Sequence, residues 1–355
     1  MTNLHAQGVR GTDDNTATPT VSVLMPCFNA AGTLDEALNS LLNQTRVDFE
    51  IVAVDDGSTD ATAEHLANWA KRDPRVSVLS IPHSGIIEAL NTGIDACDAP
   101  FIARIDADDR AHPERLEKQV SFLETHPDVA VVGCLVEGFP EGDVGEGFRL
   151  YLEWLNRLVT PDAIARELFV ESPLVHPSVM IRRSWLERVG GYQDHNWPED
   201  YDLWLRMHLA GARFAKVPEV LFSWREHTAR LTRIDDRYSA VNLTRIKAHY
   251  LLKGPLRDRN AVIVWGAGKM GRLVSRYLLQ QGAPLMVFVD IDPSKIGRTR
   301  RGIPIISPDD LPRWWHRYEN PAALAAVGSR GARALIRDRL TAMGLGEGSD
   351  WWAVA

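Results

Sequence analysis

Through the first part of the chain, short apolar segments alternate with segments that mix apolar and polar residues. They are VSVLMP (21–26), FEIVAVDD (49–56), VSVLSI (76–81), FIARID (101–106) and VAVVG (129–133). Each has the length and composition of a buried strand. The segments between them, at 33–43, 62–72, 86–96 and 113–125, are predicted helices. Strands that alternate with helices are typical of a parallel sheet with helices on both faces, so the pattern predicts an α/β fold.

The pattern changes after the fifth predicted strand. Residues 137–149 are rich in glycine and acidic side chains and predict a mobile loop. Further strands are predicted at 177–183 and 213–217, and helices at 199–210 and 238–252.

A charged segment broken by glycine and proline, residues 253–259, separates two α/β regions. After it, a strand, a glycine turn, a helix and another strand follow between residues 261 and 290. The chain is therefore predicted to have four parts. They are a flexible N-terminal tail (1–19), a first α/β domain (20–235), a connecting helix and linker (236–259) and a smaller second α/β domain (260–355).

Composition narrows the class of protein. The 355 residues are 45% hydrophobic and 25% charged, which is typical of a globular protein. Asp and Glu (47) outnumber Lys and Arg (40), and the net charge of -7 argues against a nucleic-acid-binding protein. The sequence shows no apolar stretch of the ~20 residues that a membrane span needs, and no secretory signal. Its three cysteines are far apart in the sequence. We therefore expect a cytoplasmic protein without disulfides or a zinc site.

Two groups of acidic residues follow predicted strands of the first domain. Asp55 and Asp56 open the sequence DDGSTD (55–60), and Asp106 and Asp108 belong to DADD (106–109). In an open parallel sheet, ligands bind at the carboxyl ends of the strands. Neighbouring carboxylates there could converge on a hard cation, Mg²⁺ or Mn²⁺, that also binds substrate phosphates. The alternative is that these residues cap turns and helices, as Asp and Ser commonly do after a strand.

Several ordered sequence blocks distinguish the first domain. They are MPCFNAAGTLDEALNSLLNQT (25–45), VDDGSTDAT (54–62), GIIEALNTGI (85–94) and ARIDADDRAHPERLEKQ (103–119), followed by HPSVMIRR (176–183), GGY (190–192) and EDYDLWLRM (199–207). Together, over residues 20–235, they resemble the family-2 glycosyltransferases of the GT-A fold. The resemblance implies transfer of a sugar from a nucleotide-diphosphate sugar to an acceptor hydroxyl, with inversion at the sugar carbon in a single displacement.

The resemblance also implies which residues bind the nucleotide. Pro26, Phe28 and Asn29 would end the first strand against the nucleotide. Asp56, with Asp55 nearby, would meet the base.

A second group of residues is implied at the diphosphate. Asp108 would bind Mg²⁺ or Mn²⁺, and Asp106 would contact the ribose or a metal-bound water. His227, in SWREHTARLT (223–232), would contact the metal or the diphosphate. Arg104 could neutralise phosphate charge or pair with a carboxylate inside the sheet.

The catalytic base is expected at the start of the predicted helix 199–210. The helix dipole favours an ionised carboxylate in the first turn, and the family places its base here. Asp200 is the first candidate, Glu199 is the second, and Asp202 falls on a different face of the helix. The alternative is that Glu199 and Asp200 only cap the helix.

The second domain carries a glycine pattern of its own. Gly266, Gly268 and Gly271 form a G-x-G-x-x-G between a predicted strand and helix, and Asp290 ends the next strand. This arrangement predicts a second nucleotide site, with the pyrophosphate at the helix N-terminus and Asp290 on a ribose hydroxyl. Residues 289–311 and 325–340 resemble the small N-terminal Rossmann-like domain of bacterial sugar acyltransferases. A scaffold for packing or partner docking is the alternative.

These observations lead to one expected function and two alternatives. We expect a metal-dependent glycosyltransferase of bacterial surface polysaccharide or glycoconjugate synthesis, with a UDP-sugar as the favoured donor and a saccharide or lipid-linked acceptor. Its membrane contact would be peripheral at most, at the inner face. The first alternative is a sugar-nucleotide-binding regulatory or scaffold protein without transferase activity. The second, a nucleotidyltransferase, is disfavoured because CFNAAGT (27–33) lacks a basic residue.

Overall fold

The computed structural model describes residues 18–355, which group into two compact units. Of these residues, the first unit comprises 18–161, 173–195 and 199–230, and the second comprises 162–172, 196–198 and 231–355. The tail predicted at 1–19 lies outside the described residues except for its last two. The domain boundaries predicted at 235 and 260 remain predictions, and the compact grouping assigns 231–259 to the second unit.

The strands are numbered in chain order. They are β1 (Val21–Cys27), β2 (Phe49–Asp55), β3 (Val76–Ser80), β4 (Phe101–Arg104), β5 (Arg110–Ala111), β6 (Val129–Phe139), β7 (Met180–Arg182), β8 (Arg213–Arg225), β9 (Ala261–Trp265), β10 (Leu285–Val289), β11 (Thr299–Arg300), β12 (Ile303–Ile306), β13 (Pro321–Ala325) and β14 (Trp351–Ala353).

The α-helices are numbered in the same way. They are α1 (Leu34–Leu42), α2 (Thr62–Arg72), α3 (Ile86–Ala96), α4 (Arg115–Thr125), α5 (Glu146–Arg157), α6 (Pro161–Glu167), α7 (Arg183–Val189), α8 (Glu199–Leu209), α9 (Leu231–Ile234), α10 (Ala240–Lys253), α11 (Lys269–Gln280), α12 (Leu311–Trp315) and α13 (Ala332–Ala342). In the part of the chain that is described, none of them is long and apolar enough to cross a bilayer.

The first unit is built on one eight-stranded sheet with the order β3-β2-β1-β4-β7-β6-β8-β5. Strands β1 to β4 run parallel to their neighbours among themselves, as the alternating pattern predicts. Strand β7 is antiparallel to both β4 and β6, and β5 is antiparallel to β8, so the sheet is mixed. The predicted α/β fold is confirmed, and the parallel part of the sheet is the half that carries both acidic groups.

Apolar spacing explains how the helices cover this sheet. Leu34, Leu38 and Leu41 of α1 are fully buried, at the i, i+4 and i+7 positions of one helix face. They join a core that includes Val23 and Met25 of β1. Burying each such side chain contributes roughly 1.5–3 kcal/mol. This packing holds α1 against the core of the sheet.

The predicted mobile loop at 137–149 is wrong. Strand β6 continues to Phe139, a 3-10 turn spans Glu141–Asp143, and α5 begins at Glu146. Strand β6 pairs with β8 along this extension, with Val136 opposite Phe222 and Phe139 opposite Arg225. Because the pairing partner lies far away in sequence, the local glycine and acidic content gave no sign of it.

The second unit has a six-stranded sheet with the order β11-β12-β10-β9-β13-β14. All its neighbours are parallel except the short pair β11 and β12. Strand β9 lies between β10 and β13, and its residues are buried. This unit is therefore α/β, whereas its assignment as Rossmann-like stays a prediction.

Candidate functional site

The carboxyl ends of β2, β1 and β4 lie side by side in the first sheet. Cys27, the last residue of β1, pairs with Asp55 of β2, and Leu24 pairs with Arg104 of β4. Residues that follow these strands therefore meet at one edge, where an open sheet binds its ligands. Both predicted acidic groups lie at this edge.

Asp55 and Asp56 are buried at the end of β2, where they hold the turns around them. Asp56 accepts hydrogen bonds from the backbone N–H groups of Ser84 (2.7 Å) and Gly85 (2.9 Å), one on each carboxylate oxygen. The His83 Nδ1 atom lies 2.9 Å from the Asp56 Oδ2 atom. Asp55 accepts a hydrogen bond from the backbone of the turn that follows it. A nucleotide base that bound Asp56 would therefore have to share the Asp56 carboxylate with the loop between β3 and α3.

The end of β1 brings the other predicted nucleotide residues to the same place. Pro26 is buried inside β1, whereas Phe28 is 46% exposed. The Phe28 ring stacks on the His83 ring, with 4.1 Å between the centroids. Asn29 has a positive φ of 51°, and its Oδ1 atom accepts a hydrogen bond from Thr59 N at 2.8 Å. Of this group, Phe28 offers the accessible aromatic surface.

Asp106, Asp108 and Asp109 form an acidic cluster in the turn between β4 and β5. Each offers a carboxylate oxygen within 4.8 Å of the other two. Burial and the charge of Asp106 raise the pKa of Asp108, and burial with the charges of both neighbours raises the pKa of Asp109 well above its usual range. The Asp109 Oδ2 atom is buried and has no hydrogen-bond partner among residues 18–355. A bound cation relieves repulsion of this kind, so the oxygen-rich cluster fits a hard divalent ion.

His227 lies beside this cluster. Its Nε2 atom is 2.9 Å from the Asp108 Oδ2 atom. The end of β8 is fixed to the acidic turn because Arg225 N donates to Asp109 Oδ1 (2.7 Å) and Arg225 Nε donates to the Asp108 carbonyl oxygen (2.5 Å). Asp109 lies outside the predicted set of site residues, although its place in the run Asp-x-Asp-Asp is a signal for it.

Arg104 lies where its predicted pairing with a carboxylate inside the sheet requires it. Its side chain is 3% exposed, and its Nη1 atom lies 2.7 Å from the Asp106 Oδ1 atom. Arg104 therefore pairs with a carboxylate from inside the sheet. A direct contact with donor phosphate would require this buried guanidinium to become accessible.

The two candidate bases differ in their surroundings. Glu199 is 3% exposed, and its Oε1 atom lies 3.9 Å from His176 Nδ1. Asp200 is half-buried, and its Oδ1 atom accepts a hydrogen bond from Tyr201 N at 2.7 Å. Asp202 is fully buried and pairs with Arg206 of the same helix at 2.6 Å. Asp200 is thus the most accessible of the three carboxylates.

The second unit forms a tight glycine turn between β9 and α11. Gly266 has a φ of 112°, which side chains disfavour. A Cβ atom on Gly271 would lie 1.7 Å from the Gly266 carbonyl oxygen, so only glycine allows α11 to approach β9 this closely. A Cβ atom on Gly268 would meet nothing within 4 Å. The first and third glycines are therefore required by packing, and Gly268 leaves its space open.

Asp290 is engaged inside the second unit. Its Oδ2 atom accepts a hydrogen bond from Ala267 N at 2.9 Å, and its Oδ1 atom accepts one from Asp292 N at 3.0 Å. Lys295 Nζ lies 3.2 Å from Oδ2. A ribose hydroxyl at Asp290 would have to share this carboxylate with the turn.

Sequence comparison identifies relatives of the first unit. The model of the family described as Glycosyl transferase family 2 matches residues 22–190. The amylovoran biosynthesis glycosyltransferase AmsE of Erwinia amylovora is 36% identical over 208 residues, which cover 58% of this chain and 75% of that protein. An uncharacterized glycosyltransferase of Haemophilus influenzae is 33% identical over 216 residues, covering 59% of this chain. The chain spans 66% of the length of this second relative.

Solved structures share the fold. Residues 1–349 of S. aureus TarS, in complex with UDP-GlcNAc, align with a TM-score of 0.55 and 18% identity over 73% of this chain and 71% of that one. The mannosyltransferase PcManGT from Pyrobaculum calidifontis, in complex with GDP-Man and Mn²⁺, aligns with a TM-score of 0.50 and 21% identity over 75% of this chain and 70% of that one. The predicted GT-A fold is confirmed, and with the sequence relatives it leads to one conclusion: the chain belongs to glycosyltransferase family 2.

Proposed function

We propose that this protein transfers a sugar, with inversion, from a nucleoside-diphosphate sugar to an acceptor hydroxyl. The observation that carries the proposal is the cluster of Asp106, Asp108 and Asp109 at the sheet edge where β1 and β2 also end. The relative named for amylovoran biosynthesis supports a role in a bacterial surface polysaccharide or glycoconjugate. We propose a saccharide or lipid-linked acceptor. The complexes of the solved structures with UDP-GlcNAc and GDP-Man support a nucleotide sugar as the donor, and we propose UDP as its nucleotide.

The nucleotide is proposed to lie over the ends of β1 and β2. Phe28 offers an exposed aromatic face to the base, and Asp56 supplies a carboxylate beside it. Asn29 and Asp55 shape the turns that hold these two side chains, and Pro26 is proposed to end the first strand against the nucleotide from within β1. Arg104 acts on the donor through Asp106, since its guanidinium is buried behind that carboxylate.

Mg²⁺ or Mn²⁺ fits the acidic cluster. Carboxylate oxygens are the ligands that both ions prefer, and the orphaned, buried Oδ2 atom of Asp109 lacks a partner among the described residues. Asp106 and Asp108 would hold the ion, with His227 beside Asp108. When bound, the ion stabilises the negative charge that develops on the leaving nucleoside diphosphate.

Asp200 is proposed as the base, with Glu199 as the second candidate. As the acceptor oxygen bonds to the anomeric carbon, the bond from that carbon to the diphosphate oxygen breaks and its electron pair leaves with the diphosphate. The proton of the acceptor hydroxyl passes to a carboxylate within ~3 Å. Attack opposite the leaving group inverts the sugar carbon. Asp200 suits this role because it is half-buried, whereas Glu199 is enclosed.

A donor assay tests this function. Radiolabelled UDP- and GDP-sugars would be incubated with the protein in Mn²⁺ or in EDTA, and released sugar would be measured. We expect metal-dependent turnover that falls at least ~100-fold in Asp108→Asn, while Asp95→Asn, at an exposed acid of α3, keeps the wild-type rate. Donor binding without metal-dependent turnover across the panel would favour a sugar-nucleotide-binding regulatory or scaffold protein instead.

The glycine turn of the second unit stays a proposed second nucleotide site, formed by Gly266, Gly268, Gly271 and Asp290. The open space at Gly268 and the N-terminus of α11 support it. The existing bonds of Asp290 to the turn argue for a scaffold role.

A further inference from the structure

Buried polar side chains connect the acidic cluster to the first turn of α8. Arg104 pairs with Asp106 at 2.7 Å, and its charge also interacts with Tyr192 and Glu199. The Tyr192 hydroxyl lies 2.6 Å from His176 Nε2, and His176 Nδ1 lies 3.9 Å from Glu199 Oε1. Arg104, His176, Tyr192 and Glu199 are all less than 9% exposed. Water therefore does little to orient them, and they orient one another.

The turn that carries Tyr192 is held on two sides. Asn91 of α3 accepts from Tyr192 N (2.9 Å) and donates to Tyr192 O (3.0 Å). Arg206 of α8 donates to the carbonyl oxygens of Val189 and Gly191, each at 2.8 Å. The position of Tyr192 is thus fixed relative to the helix that begins with Glu199.

Burial also fixes where the protons lie. Burial, with the charge of Arg104, lowers the pKa of His176 well below its usual value, and burial raises the pKa of Tyr192. His176 is therefore neutral and carries one N–H, while Tyr192 keeps its hydroxyl proton. The Glu199 carboxylate lies on the Nδ1 side of the ring, so we expect the imidazole proton on Nδ1, with Nε2 accepting the hydrogen bond from Tyr192.

We propose that Arg104, His176 and Tyr192 are positioning residues that hold Glu199 in place and thereby orient Asp200 toward the acceptor. This inference rests on the proposed function, in which Asp200 is the base. Glu199 is then the buried anchor of the first turn of α8. The charge of Arg104, which pairs with Asp106, also acts on Tyr192 and Glu199, so these buried groups relate the base electrostatically to the metal-binding side of the site.

Tyr192→Phe tests the network because it removes only the hydroxyl. We expect kcat to fall about 10- to 100-fold, as misalignment of a base does, while the donor KM and the Mn²⁺ dissociation constant stay within about twofold of wild type. Tyr277→Phe, on α11 of the second unit, is the matched control and should keep the wild-type kcat.

Two acid variants separate the anchor from the base. Asp200→Asn should lower kcat by about 10³-fold or more, whereas Glu199→Gln should lose no more than Tyr192→Phe. The double variant Tyr192→Phe/Glu199→Gln should lose little beyond either single change, because both act through one contact path. Loss of transfer in Glu199→Gln equal to that in Asp200→Asn, with Tyr192→Phe at the wild-type rate, would overturn the network.

The tautomer of His176 gives a readout that does not depend on enzyme activity. In protein labelled with ¹⁵N-histidine, we expect the neutral Nδ1–H form, assigned with His176→Gln, and this form should persist at pH 6. An Nε2–H form would contradict the inference. Absence of transfer by the wild type with every donor would instead refute the proposed function, so the two failures are distinguishable.

Discussion

At the scale of single residues, Asp109 joins two parts of the site. Its Oδ1 atom accepts the backbone N–H of Arg225, two residues before His227. Asp109→Ala removes that acceptor, so the free energy of unfolding should fall by about 1–3 kcal/mol. Asp109→Asn keeps an acceptor oxygen and should lose less stability. Urea unfolding would measure both.

The same two variants report on the metal site. Because each removes a carboxylate from the acidic cluster, both should bind Mn²⁺ more weakly in a calorimetric titration. Asp128→Asn, at an exposed acid, is the control. Wild-type Mn²⁺ affinity in Asp109→Asn would show that this residue only supports the end of β8.

Lys216 should make stability depend on pH. It lies on β8, is 2% exposed and donates from Nζ to Leu155 O at 2.6 Å. Burial lowers the pKa of Lys216 to about 7, against about 10.4 in an unfolded chain. Between these values only the unfolded chain binds the proton, so Lys216 makes stability rise with pH above 7, by up to about 1.4 kcal/mol per pH unit.

The test compares urea unfolding at pH 7, 8 and 9. Lys216→Met should remove much of the rise, whereas Lys71→Met, at an exposed lysine of α2, should keep it. Burial also raises the pKa of the Cys134 thiol to about 11, which favours the unfolded chain from about pH 8.5 upward, so the pH slopes are compared between the variants and wild type rather than read from one protein. Equal pH slopes in wild type and Lys216→Met would contradict the assignment.

At the scale of elements, α3 approaches the sheet closely at Gly93. A Cβ atom there would lie 2.1 Å from Leu24 Cδ1 and 3.0 Å from Val54 Cγ2. Gly93→Ala should lower the free energy of unfolding by about 1–3 kcal/mol, because the clash outweighs the roughly 1 kcal/mol gain in helix propensity. Gly147→Ala on α5, where a Cβ atom meets nothing within 4 Å, should be neutral or stabilising. Urea unfolding in which Gly93→Ala gained stability would contradict this packing.

The pattern of apolar residues along the chain predicted the strands whose positions depend on nearby residues alone. The strands β1 to β4 are continuous apolar segments, and their ends place Asp56, Asp106 and Asp108 at one edge by the geometry of parallel sheets alone. The insertion of β7 between β4 and β6, and the extension of β6 to Phe139, depend on pairing between distant residues. Periodicity carries no information about such partners.

The same limit applies to the site. Asn91 and Tyr192 are 101 positions apart in the chain, and nothing in either segment shows that they bond. The sequence did not decide whether Arg104 neutralises phosphate charge or pairs with a carboxylate inside the sheet. The burial of Arg104 decides this, and that burial follows from the packing around β4. The sequence therefore predicted the acids that face a ligand better than the residues that support them from inside.

At the scale of the whole molecule, two units each offer a candidate nucleotide site, and ligand-induced stabilisation can distinguish them. Binding to the folded chain adds about 2.7 kcal/mol at a ligand concentration of 100 times Kd, which raises Tm. We expect UDP with Mn²⁺ to raise the Tm of the full chain. Asp108→Asn should lose most of this shift, because the proposed donor site lies at the acidic cluster of the first unit.

Gly268→Ala is the matched change in the second unit. The added methyl group has free space in the protein, so the fold should tolerate it, but it would obstruct a pyrophosphate that approached the turn. If UDP binds only in the first unit, Gly268→Ala should keep the full rise in Tm that UDP with Mn²⁺ produces. A shift lost in Gly268→Ala and kept in Asp108→Asn would place the nucleotide in the second unit, and the donor site proposed at β1 and β2 would then be wrong.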